Sequence, residues 1–326
     1  MTPVDPGVRP SRTRNEPVTA DRLWTVLKRA VAGWWSDNVP HLGAALSYYT
    51  LFSMAPILVV AMAIAGLVFG AEAVRGQIVG QIDGLVGHDG AVALQAMLEG
   101  AAKPSSSVPA TIIGVITFFL GATGAFLELQ TALNAIWRVK PKASGSFLRA
   151  LIIDRLTSFG LVVGVGFLML TSLLVSAGLA ALHTYMGETF PGSAALWEGV
   201  NVIISLVVIS ILFAMVYKLL PDVELAWSDV WVGGLVTAGL FTVGKFLIGL
   251  YLGTSTLASS YGAAGSVIVL LVWVYYSAQV VLLGAEFTRE YVKEFGRRPP
   301  PSEFATKDPA PPLVGKTGTT GKAGKK

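Results

Sequence analysis

The chain has 326 residues, 53% of them hydrophobic and only 13% charged, about half the charged fraction of an ordinary soluble domain. Charges gather near the two ends and in short loops, and the stretches between suit hydrocarbon, where an ionised group costs at least about 2.5 kcal/mol. Without cysteine the chain has no disulfide, thiolate ligand or cysteine nucleophile, and its net charge of +4 is modest enough that no nucleic-acid partner is expected.

Residues 1–18 are rich in Pro, Arg and Thr and are expected to be disordered. No apolar segment follows within them that would make a signal peptide. From Thr19, Leu23, Trp24, Leu27, Ala30, Val31, Trp34 and Trp35 recur at spacings of three and four, opposite Asp21, Arg22, Lys28 and Arg29. This pattern predicts an amphipathic helix, which either lies in the headgroup layer or packs on a helix bundle. Six apolar runs follow, at about 42–69, 108–137, 151–182, 197–220, 230–252 and 263–292. Each exceeds the roughly 20 residues a helix needs to cross hydrocarbon. They are continuous rather than alternating, which excludes a barrel. The predicted fold class is therefore an all-α integral membrane protein, a bundle of six transmembrane helices with an amphipathic N-terminal helix. A helical external cap between the first and second spans is expected from Val74, Ile78, Ile82, Leu85, Val92, Leu94, Met97 and Leu98.

The segments then divide as 1–36, a cytoplasmic segment with the interfacial helix; 37–295, the transmembrane domain; and 296–326, a disordered basic tail. That tail holds seven basic side chains against Glu303 and Asp308. Orientation follows from Lys and Arg in the loops. Arg138, Lys140, Lys142, Arg149 and Arg155 follow the second run, whereas residues 183–196 and 253–262 carry none. Both ends of the chain are expected in the cytoplasm of a bacterial cell, with the bundle in its inner membrane. Pro56 and the Gly233–Gly234 pair mark expected kinks or breaks in their helices, and Gly66-x-x-x-Gly70 and Gly160-x-x-x-Gly164 mark close helix approaches.

Chemistry-bearing residues are sparse. His41, His88 and His183 fall in separate segments, and no HExxH or P-loop occurs, so no metal, cofactor or enzymatic activity is expected. Ionisable groups inside apolar runs mark functional positions by default. Lys245 lies about fifteen residues into the fifth run, roughly 22 Å from its inner end, either snorkelling to the outer headgroups or facing a polar cavity. Glu128 lies near Gln130, Thr131 and Asn134, and Glu286 sits at a comparable depth on the sixth helix with Arg289 one turn away. Glu128 and Glu286 share a level and Lys245 stands well above both, so no direct Lys–Glu pair is expected.

The run from Asp37 through Pro40, Gly43, Ser47, Tyr48, Tyr49 and Ser53 to Pro56 resembles the opening signature of the YihY/BrkB family of bacterial inner-membrane proteins. Two further blocks resemble that family: Asn134-Ala135-Ile136-Trp137, and the stretch from Tyr261 through Trp273, Tyr275, Tyr276 and Gln279 to Gly284-Ala285-Glu286-Phe287. The resemblance covers roughly residues 20–295. It implies a membrane protein; some members are linked to serum resistance or lipid export, and the old label "ribonuclease BN" finds no His and Asp cluster here. It carries over Ser47, Tyr48, Tyr49, Ser53, Asn134, Tyr275, Tyr276, Gln279 and Glu286 as cavity-lining candidates, beside Glu128 and Lys245. The leading expectation is a transporter-like protein acting on membrane lipids or another amphiphile. Its rival is a non-transporting scaffold for envelope-biogenesis proteins, and homo-oligomerisation is open in either case.

Overall fold

A computed structural model describes residues 19–69, 91–92, 94–96, 124–142, 194–254, 264–296, 299–302 and 305–308. The third apolar run, the first part of the second, Gly70 and the Gly160–Gly164 pair, most of the expected cap and the chain's two extremities lie outside the described residues. Six helices carry the description: α1 (Ala20–Ser36), α2 (Val39–Phe69), α3 (124–137), α4 (Ala194–Leu219), α5 (Trp227–Thr254) and α6 (Gly265–Phe295). Among the described residues, three stretches are long and apolar enough to cross a membrane: Val202–Leu219, Trp227–Tyr251 and Gly265–Phe295.

The chain turns sharply between α1 and α2. Asp37 closes α1 by donating its N–H to the Gly33 carbonyl at 2.8 Å, and Asn38 takes a φ of 56°. That left-handed conformation is tolerated by Asn because its short side chain relieves the clash a larger residue would meet. The Asn38 carbonyl then accepts from His41 and Leu42, starting α2, with Pro40 in the first turn, where a missing N–H costs nothing.

α2 runs through Pro56 and α5 through Gly233–Gly234 as continuous helices, so of the expected kinks or breaks the breaks do not occur. The glycines serve packing instead. Thr288 of α6 fills the space beside Gly233, the Ser210 carbonyl and Ala214 of α4 press on Gly234, and Tyr217 and Thr237 fill the space beside Gly284. The Tyr217 hydroxyl donates to the Val281 carbonyl at 2.7 Å and lies 3.0 Å from Thr237 Oγ1. Small residues that let helices approach, joined by hydroxyl hydrogen bonds, are the usual means of association where water offers no hydrophobic drive.

α6 is the central element. It packs against α1, α2 and α5, and α5 packs in turn on α4. The largest apolar cluster joins Val39 of α2, Leu133 and Ile136 of α3, Tyr217 of α4, Val230 of α5 and Leu282, Ala285 and Val292 of α6. It therefore lies where the start of α2, the end of α3, the α4–α5 turn and the end of α6 converge.

Part of the basic tail, expected to be disordered, is ordered here. Strand β1 (Val139–Pro141) pairs antiparallel with β2 (Ala305–Lys307), Val139 opposite Lys307. Pro301 bridges Val223, Ser302 donates to the Asp222 carbonyl at 3.0 Å, and Asp308 donates to the Arg138 carbonyl at 2.8 Å. The prolines 299–301 favour extended backbone, and the α4–α5 turn and the end of α3 supply the open carbonyls and N–H groups that an extended segment can meet. Composition alone hid this strap.

Candidate functional site

The last turns of α6 enter the convergence point with a run of ionisable residues, Glu286, Arg289, Glu290 and Lys293. Arg289 stands at the centre. Its Nη1 donates to Asp37 Oδ2 at 2.5 Å and to the Ile136 carbonyl at 2.6 Å. Its Nη2 lies 2.6 Å from Glu286 Oε2, and its Nε donates to Glu290 Oε1 at 3.2 Å. Arg138, at the end of α3, reaches the other Asp37 oxygen at 3.2 Å, and Lys293 pairs with Glu290 at 2.6 Å. Three acids thus face three bases, so the cluster is formally neutral. Buried ions persist only when neighbours replace their hydration, and the planar guanidinium fork can serve several acceptors at once.

Asp37 is buried between two helices. Its burial opposes ionisation, but the hydrogen bond and field of Arg289, with Arg138 behind, hold its carboxyl below the usual carboxylate range. Glu286 is held less well. It is fully buried, and although it lies at ion-pair distance from Arg289, neither oxygen has a hydrogen bond of good geometry among the described residues. Gly33 of α1 lies directly over it; a Cβ there would collide with the Glu286 carboxylate and the Arg289 guanidinium.

Two turns up α6, on the same face at i−7, lies Gln279. The Trp34 indole donates to its Oε1 at 3.0 Å, while its buried Nε2 has no hydrogen-bond partner among the described residues and lies against Gly43 of α2. Gln279 and Glu286 thus form a polar stripe on α6 under the α1–α2 arm. Tyr276 places its hydroxyl beside Gly244, and Tyr275 is half-buried.

The other sequence candidates scatter. Ser47 is buried and donates to the Ala44 carbonyl of its own helix at 2.8 Å, and Ser53 accepts from the Ala125 N–H at 3.1 Å, fastening α2 to α3. Tyr48 and Tyr49 are exposed and form an aromatic surface with Phe52. Asn134 exchanges two 2.8 Å bonds with Asp222, from its amide to the Asp222 carboxylate and from the Asp222 N–H back to its oxygen. It anchors the α4–α5 turn, where Lys218 also donates to the Leu225 carbonyl. Glu128 is half-buried on α3. Lys245 is exposed on α5 beside Val243, Phe246 and Leu247. Gly244 meets Tyr276, so Lys245 stands about ten residues along α6 from Glu286, roughly 15 Å.

Reading from sequence missed Asp37 and Arg138 as members of this cluster. Their signal was present: the loop count places Asp37, Arg138, Asp222 and Arg289 at one end of the bundle, where opposite charges must find each other.

The comparisons with known proteins bear on the whole arrangement. The family model "Virulence factor BrkB" matches residues 30–308, which takes in the α1–α2 corner, the ion cluster and the tail strap. A UPF0761 membrane protein of Ralstonia nicotianae is 30% identical over 256 residues, covering 76% of this chain and 54% of its own length. Similar UPF0761 membrane proteins come from Psychrobacter (26% identical, covering 82% of this chain and 48% of that protein) and Tolumonas auensis (28%, covering 84% and 89%). The chain spans about half the length of the Ralstonia and Psychrobacter relatives. No solved structure matches it. On the extent of the family match and the apolar helices together, the chain is a multi-pass membrane protein and belongs to the BrkB family.

Proposed function

We propose that this protein is transporter-like and moves an amphiphile, a lipid in the first place, across or between the leaflets of a bacterial inner membrane, with both ends of the chain in the cytoplasm and without enzymatic chemistry. One observation carries the reading: a stripe on α6 that buries Gln279 Nε2 without a hydrogen bond among the described residues, and with it Glu286, whose carboxylate has Arg289 at ion-pair distance but no hydrogen bond of good geometry. An unmet buried polar atom costs about 1–3 kcal/mol, more than a purely structural seam has reason to keep. Intramembrane polar groups of this kind mark substrate paths.

The α1–α2 arm rests on this stripe through Trp34, Gly33 and Gly43, and its corner at Asn38 is a natural pivot. When the arm lifts, Gln279 offers an amide and Glu286 a carboxyl to a polar headgroup, while the acyl chains stay against apolar helix faces. Re-seating restores the Trp34–Gln279 bond.

The test is redistribution of a headgroup-labelled phospholipid in proteoliposomes. Wild-type protein is expected to move it, Gln279→Leu and Glu286→Gln to slow it while the protein remains folded, and Lys245→Met and Glu128→Gln to report whether those positions lie on the route. If the wild-type protein moves neither labelled lipid nor another amphiphile, the transport reading is lost and a scaffold for envelope proteins takes its place.

A further inference from the structure

At about 100° of turn per residue, the side chains of α1 fall into three sectors. Val26, Ala30 and Gly33 are buried against α6, the first two in a cluster with Phe287, Tyr291 and Phe295 and Gly33 over Glu286 and Arg289. Asp21, Thr25, Arg29 and Ser36 make an exposed polar sector. Between them runs an apolar stripe left exposed, its ring contacts made within α1 itself: Trp24 (57% exposed), Leu27, Val31 and Trp35 (74% exposed), the last against Trp34. A helix docked only on its bundle needs one apolar sector, and α1 has two. The second would be the most water-averse surface on the protein's end if water were its neighbour.

We propose that this stripe is a bilayer contact: α1 lies along the headgroup layer, wedged between α6 and lipid. The composition fits that occupant. Tryptophan favours the membrane–water boundary because its ring is apolar and its N–H wet. Lys28 sits over the Trp24 ring at 5.2 Å, at the border of stripe and polar sector, where its ammonium meets lipid phosphate. Lys28 is the cation on that border, since Arg29 pairs with Glu294 of α6 at 3.1 Å, and an ammonium beside the stripe complements anionic lipid. The position fits too, since α1 passes through a two-residue corner straight into the apolar helix α2. The contact is independent of transport. It has one structural consequence, that lipid pressing on the stripe keeps Gly33 seated over Glu286 and Arg289.

The chain lacks cysteine, so single reporters can be introduced cleanly. Leu27→Cys and Val31→Cys place an environment-sensitive fluorophore on the stripe; Thr25→Cys and Ser36→Cys place it in the polar sector. In full-length protein reconstituted with phosphatidylcholine and phosphatidylglycerol, positions 27 and 31 are expected to emit to the blue and to be quenched by lipid-borne nitroxide at a depth of about 5–10 Å. Positions 25 and 36 are expected to be quenched by aqueous iodide. Identical behaviour at all four positions would overturn the proposal. So would shielding of position 31 from both quenchers together with disulfide formation between copies, which would make the stripe a protein interface. Size-exclusion elution identifies any variant that misfolds, and the second position in each sector then decides.

Discussion

Replacing Arg289 by methionine tests the ion cluster most directly. The change removes the donors to Asp37, Glu290 and the Ile136 carbonyl and the cation beside Glu286. Asp37 keeps Arg138, which is itself about half exposed and 3.2 Å away, and the Ser36 hydroxyl at 3.3 Å. Glu286, fully buried, keeps no cation at ion-pair distance among the described residues. Breaking a buried ion pair from one side costs about 3–5 kcal/mol, so Arg289→Met is expected to destabilise by that amount. Arg289→Lys keeps the charge but not the fork. A single ammonium cannot reach Asp37, Glu286 and Ile136 together, and losing one charged hydrogen bond costs about 1.5–3 kcal/mol. Unfolding of purified protein in mixed detergent micelles measures both. Combining Arg289→Met with Asp37→Asn should recover part of the loss, a coupling of about 0.5–3 kcal/mol. A cost for Arg289→Met below about 1 kcal/mol, or a coupling near zero, would mean that these charges are solvated independently.

Acid should act through the same residue: the folded carboxyl of Asp37 is held below its ordinary value of 3.8, so its contribution is complete above that value and is lost as pH falls through the lower folded value. Unfolding measured from pH 6 downward should show wild-type stability dropping below about pH 4, with a shallower drop in Asp37→Asn; equal slopes would refute this. Gly284→Ala pushes a methyl into Thr237 and Tyr217 and should cost about 1–3 kcal/mol, partly recovered by Thr237→Ala. Gly249→Ala, with open space around it, should instead gain about 0.5–1 kcal/mol by the same unfolding assay. Truncation after Arg298 removes the Pro300 carbonyl that accepts the Glu224 N–H, so hydrogen exchange over residues 220–226 should accelerate, and unchanged protection there would show that the strap is not bound.

Long apolar runs were readable because lipid imposes continuity on them: residues 197–220 and 230–252 were expected as spans, and α4 and α5 lie across them. The contact of Glu286 was also legible, because Arg289 stands one turn away on the same helix and pairs with it at 2.6 Å. Asp37 escaped, although it lies inside the motif that revealed the family, because periodicity reports faces of one helix and says nothing of a partner 252 residues on. Asn134 read as a cavity residue and is the clasp of the α4–α5 turn, since an amide's two ends suit a carboxylate and an N–H equally. The strap could not be read at all. Its residues are poor in apolar side chains and join the protein through backbone groups, which carry no sequence signal.

The Asp37–Arg289 pair also sets an order of assembly. Asp37 is synthesised just ahead of α2, and its principal counter-ion belongs to α6, 252 residues later. Until α6 is inserted, Asp37 must stay at the wet boundary, for an unpaired carboxylate resists burial. The strand that joins Lys140 to Thr306 closes later still. Domains and spans fold roughly in the order they emerge, so these two closures are terminal events: a chain stalled before α6 retains a soft, hydrated end where the ion cluster belongs. The mature cluster end is thus a lock whose last piece is also the last piece made.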